Sequence, residues 1–173
     1  MQGEVKSLSE LAEIIKGRQI NGSELKETGQ YYVMNGGIIP SGYYDHYNTA
    51  ADTISISEGG NSCGYIQYNS TKFWSGGHCY TLHIRPTASV STIFLFHYLK
   101  WKETHIMRLR IGGALPNIQK KDLSKVCITV PPLNKQKQLI TLLSTSQMTI
   151  DNEEKYAANL HKQKQYLLSQ MFI

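Results

Sequence analysis

The 173-residue chain has little of what marks an enzyme, a secreted protein or a membrane protein. Its three cysteines, Cys63, Cys79 and Cys127, form no CxxC pair and leave one over. Reduced thiols in a cytoplasm are the natural reading. The opening Met1-Gln-Gly-Glu-Val-Lys6 has no apolar segment like that of a secretory signal, so none is expected. No stretch approaches the ~18 apolar residues of a membrane span, which argues against a membrane partner. Phosphate-binding loops are missing as well: neither a Walker-type loop nor a GxGxxG between a strand and a helix occurs. Cys63, His78, Cys79 and His83 lack the short ligand spacings of structural zinc sites, so small buried thiols are expected and no metal. Nothing is placed to activate a thiol nucleophile. Val130-Pro-Pro-Leu133 is superficially like the Asn/Asp-Pro-Pro-aromatic motif of amino-methyltransferases. That chemistry needs an amide or carboxylate and an aromatic ring, and Val130 and Leu133 supply neither. Glu4-Val-Lys6 and Glu153-Glu-Lys155 lack a partner Asp for a nuclease site. The expectation is therefore no catalytic residue, no bound cofactor and no enzyme.

What is present suits one compact domain and an appendage, with 40% hydrophobic residues to build a core. The net charge of +5 is unevenly spread. Residues 1–99 carry six Lys/Arg against eight Asp/Glu, residues 100–125 seven against two, and the remainder five against three. A focused positive field favours a polyanion; a solvated basic surface is the plain alternative.

Ser7-Leu-Ser-Glu10 fits a capping box, and Leu8, Leu11, Ile14 and Ile15 form a helical stripe that should stop at Gly17. From Tyr31 to Tyr68 the composition turns to Tyr, Ile, Thr, Ser and Gly. There, 53–57 and 64–68 alternate as strands about a glycine-rich turn at 58–63. A third strand, 79–84, ends before Pro86. Ser91 should cap a second helix over 93–107, with Ile93, Phe96, Leu99, Tyr98 and Trp101 inward and Gly112-Gly113 breaking it. A last strand, 125–130, is stopped by Pro131-Pro132. From Asn134, the expected N-cap, to Gln170 there is neither Pro nor Gly. Heptad a sites read Leu143, Ile150, Ala157, Lys164 and Met171; d sites read Leu139, Ser146, Glu153, Leu160 and Leu167. Seven of these ten are apolar, a damaged but recognisable seam. The domains are thus read as 1–132, a binding domain, and 133–173, a helical region.

Gly-Gly pairs at 36–37, 59–60, 76–77 and 112–113 sit beside Tyr43-Tyr44, Asn61, Trp74 and His78. They either let backbone and flat side chains approach a ligand or serve ordinary turns around an aromatic core. Several stretches, in order, carry a resemblance: Val5 to Gly17, Ser57 to Tyr65, Phe73 to Tyr80, Gly113 to Leu123, Ile128 to Gln136 and Leu160 to Phe172. Together they resemble the specificity subunits of type I restriction-modification systems. The resemblance implies an α/β (α+β) target recognition domain, one mixed β-sheet with packed helices, followed by a long coiled-coil-type helix. It also implies a chain that binds double-stranded DNA but cuts and methylates nothing. S-adenosylmethionine would sit on the partner methyltransferase subunit, through which the restriction subunit joins. Two departures stand out. Asn134-Lys135 occupies the place of the usual acidic residue after Pro-Pro-Leu, and the chain has one recognition domain and one helical region where the family usually has two of each.

A homodimer joined through Leu139, Leu143, Ile150, Ala157, Leu160, Leu167 and Met171 would restore two recognition domains and read a bipartite site; a fragment of a two-domain subunit is the competing account. Lys16, Arg18, Gln19 and Asn21 are expected to face DNA after the first helix. Tyr43, Tyr44, Asn61, Tyr65, Trp74 and His78 should gather at the glycine loops, and Arg108, Arg110, Lys120 and Lys121 should contact phosphates. The alternative function is a non-catalytic β-rich carbohydrate-binding module that stacks aromatics on sugars. The target sequence depends on loop geometry and is not spelled by residue type.

Overall fold

The computed structural model describes residues 3–113 and 115–171, divided into two compact units, 1–136 and 137–173. In the first unit, β1 (Glu4–Ser7) pairs antiparallel with β9 (Cys127–Val130), so the two ends of that unit close on each other. A four-stranded antiparallel sheet holds β2 (Ala12–Lys16), β8 (Cys79–Ile84), β5 (Thr53–Ser57) and β6 (Ile66–Asn69), in that order. The third sheet places β3 (Tyr31–Met34) between β4 (Gly42–Tyr44) and β7 (Trp74–Ser75); only its β3–β7 pairing is parallel. The expected α/β class with a long terminal helix stands, and its β-structure is divided among three sheets instead of one.

All five residues of β5 are buried, so both faces of the central sheet are covered. Helix α2 (Thr92–Trp101) packs on β5 and β6. Met34, Phe73 and Cys79 form a cluster that ties the third sheet to β8, with Tyr32 stacked on Phe73 at 5.4 Å. The β5–β6 hairpin turns through residues 58–63 as expected.

The first helix is shorter than its apolar stripe suggests. The capping box forms: the Ser7 hydroxyl and backbone N–H both donate to Glu10 Oε2, at 2.5 and 2.7 Å. Yet α1 (Leu8–Leu11) lasts one turn, and the chain becomes extended at Ala12. Residues Ala12 to Lys16 pair with β8, opposing Ile14 to Leu82. Ile14 and Ile15 are β-branched, and a free partner strand outweighs a weak helical preference. They therefore sit on opposite faces of a strand, Ile14 buried and Ile15 outward.

The second helix is also corrected. It breaks at Lys102 (φ −88°, ψ 5°) into α2 and α3 (Glu103–Met107), and it ends before Gly112-Gly113 is reached. Phe94, Leu95, Leu99 and Ile106 are buried, whereas Ile93 is 39% and Trp101 69% exposed. Phe96 and Tyr98 are half-buried. The core stripe thus starts at Phe94, one residue later than expected, and keeps Leu99. Ser91 holds the N-cap position without a side-chain cap bond. Its N–H donates instead to Gln136 Oε1 at 2.9 Å. After α4 (Lys120–Leu123) and β9, the prolines end the sheet, and α5 (Leu133–Met171) begins one residue before the expected Asn134 cap. Its 39 residues rise about 58 Å at 1.5 Å each. Within 137–171, Leu139 and Ile140 are partly buried and the rest exposed. No helix among the described residues is long and apolar enough to cross a membrane.

Candidate nucleic-acid interface

Three loops converge at one end of the central sheet. The 36–41 loop is fixed at its base: Ser41 N–H donates to Val33 O at 2.9 Å, and the Ser57 hydroxyl donates to Gly36 O at 2.6 Å. Gly36 has φ +85°, and a Cβ there would stand 2.8 Å from His78 O, so only glycine fits. The 111–117 loop is closed by paired bonds between Ile111 and Asn117, 2.8 and 2.9 Å. It is bound to the 58–63 turn through Gly60 N–H to Pro116 O (3.0 Å) and Ile118 N–H to Glu58 O (2.8 Å). Between the loops lies a cleft of about 590 Å³ lined by Lys16, Asn35, Glu58, Asn61, His78 and Asn117, among others.

Glu58 organises the floor. Its Oε1 accepts from Lys16 Nζ at 2.8 Å and from the Tyr80 hydroxyl at 2.9 Å. His78 Nδ1 stands 4.0 Å from Oε2. Burial, reinforced by the Glu58 carboxylate, raises the Tyr80 hydroxyl above the ordinary tyrosine range, so it remains a neutral donor. Asn35 Oδ1 accepts the His78 N–H at 3.1 Å. The cleft thus offers amides, an imidazole, an ammonium and a carboxylate, a set that can donate to and accept from base edges or phosphate. Cys63 and Cys79 are buried, and burial pushes both thiols up, Cys79 to about 11, which makes them packing groups and not nucleophiles. Among the described residues no three His, Cys, Asp or Glu side chains gather as a metal site.

The family model for the type I restriction modification DNA specificity domain matches residues 2–162. The chain belongs to that family. It is 32% identical over 148 residues to a protein of Mycoplasma pneumoniae named a type I specificity subunit, covering 85% of this chain and 39% of that one. A second, from Mycoplasma genitalium, is 28% identical over the same length and covers 85% and 38%. The crystal structure of a type I restriction-modification S subunit from M. genitalium superposes with a TM-score of 0.79 at 27% identity, across 88% of this chain and 41% of that one. The HsdS subunit of Thermoanaerobacter tengcongensis, at 22% identity and a TM-score of 0.64, shares the fold over 86% and 38%. This specificity-family chain therefore spans about two fifths of the length of the relatives it matches.

Within this family member the expected site residues divide into two groups. Lys16, Asn61 and His78 line the cleft. Lys16 also borders a neighbouring depression of about 390 Å³ that holds Arg18 and Trp74. Trp74 Nε1 donates to Arg18 O at 3.0 Å, and Tyr44 meets Trp74 edge-on at 5.1 Å. Gln19 packs against Gly77, where a Cβ would come within 2.5 Å of its Oε1. These residues follow a strand, not the expected helix. Arg108, Arg110, Lys120 and Lys121 are exposed on the segments flanking the 111–117 loop.

The second group lies elsewhere. Asn21 caps a 3-10 turn, Gly22–Glu24, and its backbone N–H donates to Glu24 Oε2 at 3.2 Å. Tyr43 exchanges backbone bonds with Lys26 (2.9 Å each) and packs over Gly29. The Tyr65 ring lies 4.0 Å beneath Lys100 Nζ, beside α2. Lys100 also bonds Glu103 Oε2 at 2.6 Å, and Lys102 sits 4.1 Å over Trp101. Part of the basic segment is thus engaged with its own helices. Sequence reasoning missed Asn35, Glu58 and Asn117; Asn35 and Glu58 each stand directly before a Gly-Gly pair, which was the available signal.

Proposed function

We propose that this chain is a DNA-recognition half of a type I specificity protein. The first unit reads double-stranded DNA through the cleft and the adjoining Arg18–Trp74 depression. Arg108, Arg110, Lys120 and Lys121 hold phosphates, Lys16 faces the DNA, and Gln19, Asn61 and His78 face bases. The observation that carries this reading is the cleft itself: three asparagines and a histidine on loops tied to the sheet, beside a lysine at the end of β2, in a chain of this family. Two copies, joined antiparallel through Leu139, Leu143, Ile150, Ala157, Leu160, Leu167 and Met171, present two such clefts at a fixed spacing and read a bipartite, inverted-repeat site. The protein does no chemistry itself. It directs a methyltransferase subunit carrying S-adenosylmethionine, and through it a restriction subunit, in the cytoplasm where the DNA lies.

The test is fluorescence anisotropy of a labelled mixed-sequence 30-base-pair duplex, repeated across salt. Retention that falls steeply as salt rises supports the reading. Absence of binding at low salt, or retention on a neutral polysaccharide matrix alone, overturns it.

A further inference from the structure

Glu58 is the one carboxylate lining the cleft among its described residues, and its two oxygens are used unequally. Oε1 accepts two hydrogen bonds, from Lys16 Nζ and the Tyr80 hydroxyl. Oε2 is buried and accepts none among the described residues. The His78 imidazole Nδ1 stands 4.0 Å from it, too far for a hydrogen bond. A carboxylate that served only to hold Lys16 and Tyr80 could share them between its oxygens. This one is held in a fixed direction, because the backbone on both sides of it is pinned: Glu58 N–H donates to His78 O at 2.9 Å, and Glu58 O accepts from Ile118 N–H at 2.8 Å. Its side chain is 12% exposed, while that of His78 at the cleft mouth is 63% exposed. Gly59 and Gly60 follow directly, so no side chain stands between the mouth and the floor there.

A buried acceptor without a donor awaits one. In the major groove only cytosine and adenine present an exocyclic amino group, and a carboxylate, which accepts and cannot donate, discriminates in favour of such a group and against the carbonyl edges of guanine and thymine. We propose that Glu58 is a base-reading residue of the cleft, its free Oε2 accepting a hydrogen bond from the amino group of a cytosine or adenine that displaces the His78 ring. The proposal rests on the DNA-reading function above. Lys16 is then a positioning residue: it fixes the carboxylate and offsets its charge against the approaching phosphates.

The experiment enriches bound duplexes from a library randomised over ten base pairs, using the full-length chain, and compares wild type with Glu58→Gln and Lys16→Met. Wild type should select C or A at one position in each half of the enriched sequence. Glu58→Gln, which replaces an acceptor by an amide, should relax or invert that position by about tenfold. Lys16→Met should weaken binding to all sequences and keep the preference. An unchanged preference in Glu58→Gln overturns the proposal, as does Lys16→Met shifting the same position, since Glu58 would then act through the lysine. A second measurement needs no variant. Each amino-bearing base of the selected duplex is replaced in turn by its analogue lacking the amino group, and one replacement per half should cost about tenfold in wild-type affinity. No loss at any position overturns the proposal. A wild-type chain that enriches nothing overturns the DNA-reading function beneath it.

Discussion

Gln136 is the polar side chain whose removal should be felt most. It is fully buried in the first turn of α5. Its Nε2 donates to Ser89 O at 2.9 Å and Pro131 O at 2.8 Å, and its Oε1 accepts from Ser91 N–H at 2.9 Å. One amide therefore satisfies the entrance of α2, the loop before it and the proline that ends β9. Gln136→Ala leaves one N–H and two carbonyls without that partner, and a void the size of an amide. An unsatisfied buried group costs about 1–3 kcal/mol. Ser89 is exposed, so water recovers part of its share, and the sum comes to about 3 kcal/mol. Gln136→Glu keeps the acceptor but aims a carboxylate at two carbonyl oxygens; it should be worse at pH 7 and recover in acid, where a protonated carboxyl can donate one bond again. Urea unfolding followed by tryptophan fluorescence is the assay, because both tryptophans, Trp74 and Trp101, lie in the first unit and report on it alone. A loss below about 1 kcal/mol for Gln136→Ala, at an unchanged denaturant slope, would refute the reasoning.

Other expectations concern assembly, DNA and pH. Leu143→Lys with Ile150→Lys should convert a dimer to monomers in sedimentation equilibrium; a wild type that is monomeric at high concentration removes the dimer. Arg110→Ala should weaken all duplexes alike and lower the salt slope by about one, whereas Asn61→Ala should relax choice among sequences; equal losses on selected and random DNA would end the base-reading role of Asn61. Burial pushes the Cys79 thiol from 9.0 to about 11, and burial and the Asp52 carboxylate push the Tyr68 hydroxyl from 10.0 to about 12. Both are acids whose folded values lie above their unfolded ones. Their contribution is therefore complete below about pH 9 and is lost as pH rises from there toward 12. Urea midpoints should fall over that range, and Cys79→Ala should flatten the fall; a midpoint constant from pH 8 to 10.5 in wild type contradicts this.

What the sequence made legible followed from local chemistry. The strand at 79–84, the hairpin about 58–63, the proline stop and the uninterrupted tail all announce themselves by period or by residue type. The errors arise where a local preference met a distant partner. Ser7 and Glu10 nucleate a turn of helix, but the pairing of Ala12–Lys16 with β8 depends on a strand more than sixty residues away. Strands β1, β3, β4 and β7 are two to four residues long and leave no periodic trace. The cleft was half legible. Glycine pairs beside polar side chains pointed to Asn61 and His78, yet Glu58 read as a turn residue, because its ties to Lys16 and Tyr80 cross 42 and 22 positions. Tyr65 misled for the opposite reason, lying near the loops in sequence but under Lys100 in space.

The size of the cleft bears on why one copy would not suffice for the function proposed. About 590 Å³ lined by a few hydrogen-bonding side chains has room to discriminate at only a few base pairs. A wrong base pair costs roughly 1–3 kcal/mol, so one cleft supplies discrimination on the order of 4 kcal/mol. Selecting one site among ~10⁶ competitors needs about 8 kcal/mol, since each factor of ten requires 1.4. Two clefts held at a fixed distance add their discriminations, provided the connection between them is stiff enough that both engage at once. A helix of 39 residues without Pro or Gly after its first turn, with apolar residues exposed at its a and d positions, has the stiffness and the unpaired seam that such a connection requires. On this argument a variant that stays dimeric but carries Gly-Gly inserted near Ser146 should bind each half-site as before and lose the preference for one spacing. Retention of a single preferred spacing would show that the helix is not what sets the distance.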